Sequence, residues 1–344
     1  MIDLSYAQYA WEEASSLLEI PSPSGYTHLA ALWVEAAFRA LGFRAHITKK
    51  GGVLAELGGE GDALLLQAHT DTLGAMVSQI KGNGRLKLTP LGGMNPNNAE
   101  AENVRIDTRD GKYYEGTCQL CNASVHVNGD YSTAKRSFDT VEVVLDEDVK
   151  SAEEVKALGI QVGDIVSFDP RTRMTKSGYL KSRFLDDKLS VGILLGFAKY
   201  LKDNNLTPCR KVYVHVTVYE EVGHGGSGSV PEDVVESISM DMGCVGDGLN
   251  CTERQVSICA KDSGGPYSYQ VVGALMEAAK AAGADYAVDV YPYYGSDVEA
   301  TLRAGYDIRH GLIGPGVYAS HGYERSHIDA VLNTLKLLCG YLKV

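Results

Sequence analysis

From Lys211 to Gly226 the chain reads Lys-Val-Tyr-Val-His-Val-Thr-Val-Tyr-Glu-Glu-Val-Gly-His-Gly-Gly, an alternating run that ends in two adjacent carboxylates, Glu220 and Glu221. Adjacent acids at the end of a buried strand repel each other unless something cationic sits between them. Alone, the pair reads either as a solvated strand end or as a metal site with a general base beside it. Other acids and histidines stand at comparable places. His69 and Asp71 follow the apolar run Ala63–Gln67, Asp186 and Asp187 precede a helix, Asp241 follows the run Ser237–Met240, and His321 lies in a glycine-flanked loop. In an α/β sheet the loops at the carboxyl ends of strands converge on one crevice. Histidines and carboxylates gathered there, without cysteine, suit zinc, cobalt or manganese in a hydrolytic centre better than a structural zinc.

The elements that must position these residues follow from periodicity. A first helix spans the face Ala10, Ala14, Leu17 and Leu18, with Ser5 and Gln8 as a capping box. Pro21–Gly25 breaks it, and a second helix carries Ala30, Val34, Ala37, Phe38 and Leu41 and stops at Gly42. Short strands at Ala45–Thr48 and Val53–Leu57 precede the apolar one. After Gly74 the character changes. Gly82-Asn83-Gly84 and Asp110-Gly111 signal hairpins, Val141–Leu145 and Asp164–Phe168 read as strands, and Ser151 with Glu154 caps a short helix. Helices at Leu189–Leu201, Ser268–Ala282 and Ile328–Leu342 alternate with strands at Val212–Tyr219, Ser237–Met240 and Ala287–Tyr291. The pattern predicts an α/β fold: a three-layer sandwich domain split in sequence as 1–74 and 179–344, with a β-rich, barrel-like domain inserted at 75–178. Because neighbouring strand residues face opposite ways, a local turn at Val222-Gly223 is needed to bring Glu220 and Glu221 into one crevice.

The 344 residues suffice for a full core and two domains. A formal net charge of −12 without a Lys/Arg cluster argues against a nucleic-acid partner, and no apolar run approaches a membrane span. The amino-terminal residues lack the pattern of a signal peptide, and seven cysteines is an odd count for a disulfide framework. A reducing cytoplasm is therefore the expected location. Cys118-x-x-Cys121 has no second such pair and reads as two ordinary thiols.

The order His-x-Asp, large insertion, Asp-Asp-Lys, Glu-Glu-Val-Gly, strand-end Asp, and a late His with Glu three residues on resembles the glutamyl/lysyl aminopeptidases. These are the tetrahedral family among the co-catalytic di-metal peptidases. The resemblance spans essentially the whole chain and includes Ala68–Val77 and Pro90–Gly93. It implies two divalent metal ions per chain, zinc or cobalt or else manganese. His69 and Asp241 would each bind one metal, Glu221 and His321 the other, and Asp186 would bridge them. Asp71 would hold the His69 imidazole and Glu220 would be the general base. It further implies peptide substrates trimmed from the amino terminus and a homo-oligomer, commonly a dodecamer, in which the insertion mediates contacts. Asp187-Lys188 stands where the family usually has Asn or Asp and then Arg, and His224-Gly225-Gly226 where it has a bulky and then a basic residue. His224 reads as a loop residue more readily than as part of a pocket. A related di-metal amidase or deacylase would use the same ligands, and a non-catalytic scaffold would lack one of them or the base.

Overall fold

The computed structural model describes residues 2–344; Met1, the first residue of the segment read as 1–74 and as leaderless, lies outside them. The chain divides into two compact units, 1–71 with 171–344, and 72–170.

The first unit is the three-layer α/β arrangement the alternating pattern predicts. At its centre the strand Ala63–His69 lies between Val212–Thr217 and Val234–Met240, parallel to both. Register pairs His69 with Thr217 and Gln67 with Ser239, so the carboxyl ends of three strands finish side by side. All seven residues of Ala63–His69 and all six of Val212–Thr217 are buried, as strands covered on both faces must be. A fourth parallel partner, Arg309–Tyr318, pairs with Val234–Met240. Sequence reasoning passes over it because Gly311, Gly314, Pro315 and Gly316 read as breakers. Here those glycines admit neighbouring backbone: a Cβ on Gly314 would lie 1.6 Å from the Asp241 carbonyl oxygen, and one on Gly316 2.1 Å from that of Thr252.

Two helices set the position of Asp186 and Asp187. Leu4–Leu18 packs along Leu185–Asp203 where Gly192 and Gly196 face Ala10 and Ala14; a Cβ on Gly192 would meet the Ala10 carbonyl at 2.3 Å. Lys188, 1% exposed, donates to the carbonyls of Leu17 (2.9 Å) and Ile20 (2.7 Å), satisfying the end of the first helix. The first helix begins one residue after Asp3, whose carboxylate accepts from the Ser5 N–H, so Asp3 is the cap and not Ser5.

The second unit is a closed antiparallel barrel of six strands, Gly74–Ile80, Leu86–Leu91, Val141–Leu145, Tyr113–Leu120, Glu102–Asp107 and Ile165–Phe168 in order around it. Val77, Leu86, Leu88, Ile106, Val143 and Val166 are all at most 2% exposed. Both hairpin signals sit at turns, with Gly84 at φ 79° and Gly111 at φ 83°. Among the described residues no helix is long and apolar enough to cross a membrane, and the seven cysteines are free.

Candidate active site

The strand carrying Thr217 stops there, two residues earlier than its alternation suggests, and the chain then turns sharply. Tyr219 takes φ 72°, and Glu220–Val222 forms one 3-10 turn closed by Gly223 at φ 83°. The left-handed residue before the two glutamates, as well as the glycine after them, thus brings both toward one crevice. A tyrosine at positive φ is uncommon, and surrounding structure must hold it there. Asp71 supplies part of that hold, its carboxylate accepting from the Glu220 N–H at 3.1 Å and the Glu221 N–H at 3.3 Å, with the Ser24 hydroxyl at 2.5 Å.

His69 is 1% exposed at the end of its strand. Its Nδ1 lies 2.9 Å from the Asp71 backbone carbonyl and 3.6 Å from that residue's carboxylate, so the main chain is the nearer partner. Its Nε2 faces Asp186 Oδ1 at 3.1 Å and Glu220 Oε2 at 3.8 Å. His321, its side chain 42% exposed, points Nε2 toward Asp186 Oδ2 (3.6 Å) and Glu221 Oε2 (3.7 Å). Asp186 therefore meets both imidazoles, one with each oxygen. Asp241 follows Met240 and turns back to accept from the Met242 N–H at 2.6 Å. Two sets of donor atoms come within 4.8 Å of one another: His69 with Asp187 and Asp241, and His69 with Asp186 and Glu221.

The seven residues given roles in the sequence analysis thus meet at one end of the sheet, and four more join them. Asp187 stands in the first donor set beside Asp241, and its Oδ2 accepts from the His69 N–H at 3.2 Å. Glu324, 2% exposed, accepts from the Asp186 N–H and the His321 N–H, both at 3.0 Å, and so ties the late histidine to the acid pair. Ser24 and Asp297 stand behind the glutamate turn. Asp187, as the second acid of the doublet, and Glu324, three residues after His321, are both marked in the sequence; nothing local marks Ser24 or Asp297.

The electrostatics are those of crowded, buried acid. Burial first, then Asp241, Asp297 and Glu221, push the Glu220 carboxyl well above the ordinary range, and burial with Asp186 does the same to Glu221. Burial and Asp186 raise Asp241 to about 7, and burial and Asp241 raise Asp187. Weighing the other way are the imidazoles of His69 and, at Asp186, of His321, with hydrogen bonds from Tyr294 and the Met242 N–H at Asp241. Asp187 Oδ1 and Glu221 Oε1 are buried without a hydrogen-bond partner. Unpaired buried oxygens in an excess of negative charge, beside imidazole nitrogens, are a donor set fitted to divalent cations.

A family model described as the M42 glutamyl aminopeptidase matches residues 51–337. The chain belongs to that family. "Putative aminopeptidase YhfE" of Bacillus subtilis is 42% identical over 334 residues, 96% of each chain. The lysyl aminopeptidase of Pyrococcus furiosus is 26% identical over 67% of this chain and 66% of its own. Among solved structures, the TET1 peptidase of Pyrococcus horikoshii, described as assembling into a tetrahedron or a large octahedral shell, superposes with TM-score 0.85 at 22% identity, over 97% of this chain and 99% of that one. An aminopeptidase of Desulfurococcus kamchatkensis reaches TM-score 0.86 at 22% identity, over 98% and 95%. These two share the fold. As an M42 member the chain is a metallo-aminopeptidase, a hydrolase of a family that uses divalent metal ions.

Proposed function

We propose that this M42 enzyme removes amino-terminal residues from peptides with two divalent ions, zinc, cobalt or manganese, and Glu220 as general base. His69 and Asp241 would hold one ion, Glu221 and His321 the other, and Asp186 would bridge, with Asp187 beside the first. The observation that carries this reading is the approach of Asp186 to both imidazoles, Oδ1 to His69 at 3.1 Å and Oδ2 to His321 at 3.6 Å. When bound, two such ions supply Lewis acidity toward the attacking water and the scissile carbonyl. The chain's own residues supply the rest. Glu220, its side chain 16% exposed, takes one proton from the attacking water and returns it to the leaving amine, so the peptide C–N bond breaks with net addition of one water. Asp71 keeps the base in place through the Glu220 N–H, and Glu324 holds His321 and Asp186 through theirs. The acids around the crevice also suit a free α-ammonium group, favouring an exopeptidase.

Assembly into a dodecamer, with the barrel unit of 72–170 governing contacts and access, is part of the same reading; the tetrahedral or octahedral assembly described for the TET1 relative supports a homo-oligomer. A cytoplasmic location also belongs to it. Glu220→Gln tests the chemistry: the variant should keep the fold and its metal while turnover of a panel of aminoacyl-anilides falls about 10²–10⁴-fold. Turnover at the wild-type rate would refute Glu220 as the base.

A further inference from the structure

The sequence His224-Gly225-Gly226 has no part in the chemistry above, yet it is packed with unusual closeness. A Cβ on Gly225 would stand 2.3 Å from Asp297 Oδ1, 2.9 Å from the Glu220 nitrogen and 3.0 Å from the Glu220 Cα. One on Gly226 would stand 2.3 Å from the Asp297 carbonyl oxygen, 2.7 Å from Thr301 Oγ1 and 2.8 Å from Gln67 Nε2. The loop is therefore pressed between the backbone of Glu220 and the short helix Asp297–Arg303, at a distance only glycine permits.

Side chains hold it there from two directions. On the helix, Thr301 donates from Oγ1 to the Gly226 carbonyl at 2.8 Å and accepts from Gln67 Nε2 at 3.2 Å. Gln67 Oε1 in turn accepts from Ser237 Oγ at 2.8 Å, which fastens the helix to two central strands. The Asp297 carboxyl, 3% exposed, accepts from the Thr217 hydroxyl at the end of the strand that leads into the glutamate turn. From the other direction Lys50 donates through Nζ to the His224 carbonyl, to the Gly225 carbonyl at 3.2 Å and to Ser227 Oγ at 2.9 Å.

We infer that Thr301, Asp297 and Lys50 are positioning residues that clamp the loop Gly223–Gly228 and thereby fix where the Glu220 carboxylate stands. The inference rests on Glu220 as general base. Gly225 bears on the Glu220 backbone with no side chain between them, so displacement of the loop moves the base directly. A misplacement near 1 Å costs on the order of 100-fold in rate.

The test uses the metal-loaded enzyme with Thr301→Val, which keeps the shape and loses the hydroxyl, Thr301→Ser, which keeps the hydroxyl, and Lys50→Met. Read out are kcat and KM, bound metal, and amide hydrogen exchange across 219–228. Thr301→Val and Lys50→Met should lower kcat about 10-fold or more with KM within about 2-fold. Metal content should hold while the loop amides exchange faster. Thr301→Ser should restore kcat, and Thr301→Val in a Glu220→Gln background should change the residual rate by less than about 2-fold. Wild-type kcat in both variants, or a fall in kcat that is equally large without Glu220, would overturn the clamp while leaving the general base intact. Undiminished turnover by Glu220→Gln alone would overturn both.

Discussion

In the barrel unit three acids stand against bases of the chain. Glu142 meets Lys81 at 2.5 Å, Asp107 meets Arg105 at 2.6 Å, and Glu100 meets Arg136 at 2.6 Å. At the carboxyl ends of the large sheet, Asp186, Asp187, Glu220, Glu221, Asp241 and Glu324 crowd around two imidazoles. In these three pairs the chain's own bases offset the acids. The second region folds around a surplus that the chain does not cancel, and the cost of that surplus is what a divalent cation relieves. Acids of the same type, brought together by the same backbone physics, are paired with bases in one unit and left crowded in the other.

The comparison breaks first at Asp186. Replacing it with Asn removes the carboxylate that meets both imidazoles, so bound metal should fall below two per chain and turnover by more than about 100-fold, measured by elemental analysis and anilide hydrolysis. The pH dependence of metal-free protein sharpens it next. Asp241 has its folded pKa raised from 3.8 to about 7 by burial and Asp186. A raised value means the protonated fold is favoured, so this contribution is whole below about pH 4 and is lost as pH rises through 7. The melting-temperature gap between metal-loaded and metal-free protein should therefore widen from pH 4 to 7. A constant gap would show that the acids are not strained without metal. The smallest effect is expected in the barrel. Lys81→Met strands the Glu142 carboxylate and should cost about 1 kcal/mol in denaturant unfolding, with metal content unchanged.

How much of this was legible in the sequence differs by residue. His69 and Asp241 were visible because each ends an apolar strand, and the crevice rule then gathers them. Glu220 and Glu221 were visible as a doublet, but the turn that delivers them depends on Tyr219 at φ 72°, a conformation its residue type argues against. The strand Arg309–Tyr318 was hidden by its glycines, whose purpose shows only when the Asp241 backbone is seen lying against Gly314. Asp297 was hidden for another reason: it accepts from the Thr217 hydroxyl, brought near from distant sequence, and no local spacing encodes that. Glu324 was visible only through its place three residues after His321; its bond to the distant Asp186 N–H was not.

On the proposed reading, two cations complete the crevice. Elemental analysis of the wild-type chain, dialysed against metal-free buffer after loading with zinc, cobalt or manganese, tests it most directly. About two ions per chain are expected, with peptidase activity lost on chelation and restored on re-addition. A chain that retains no metal and still cleaves aminoacyl-anilides at full rate would contradict it.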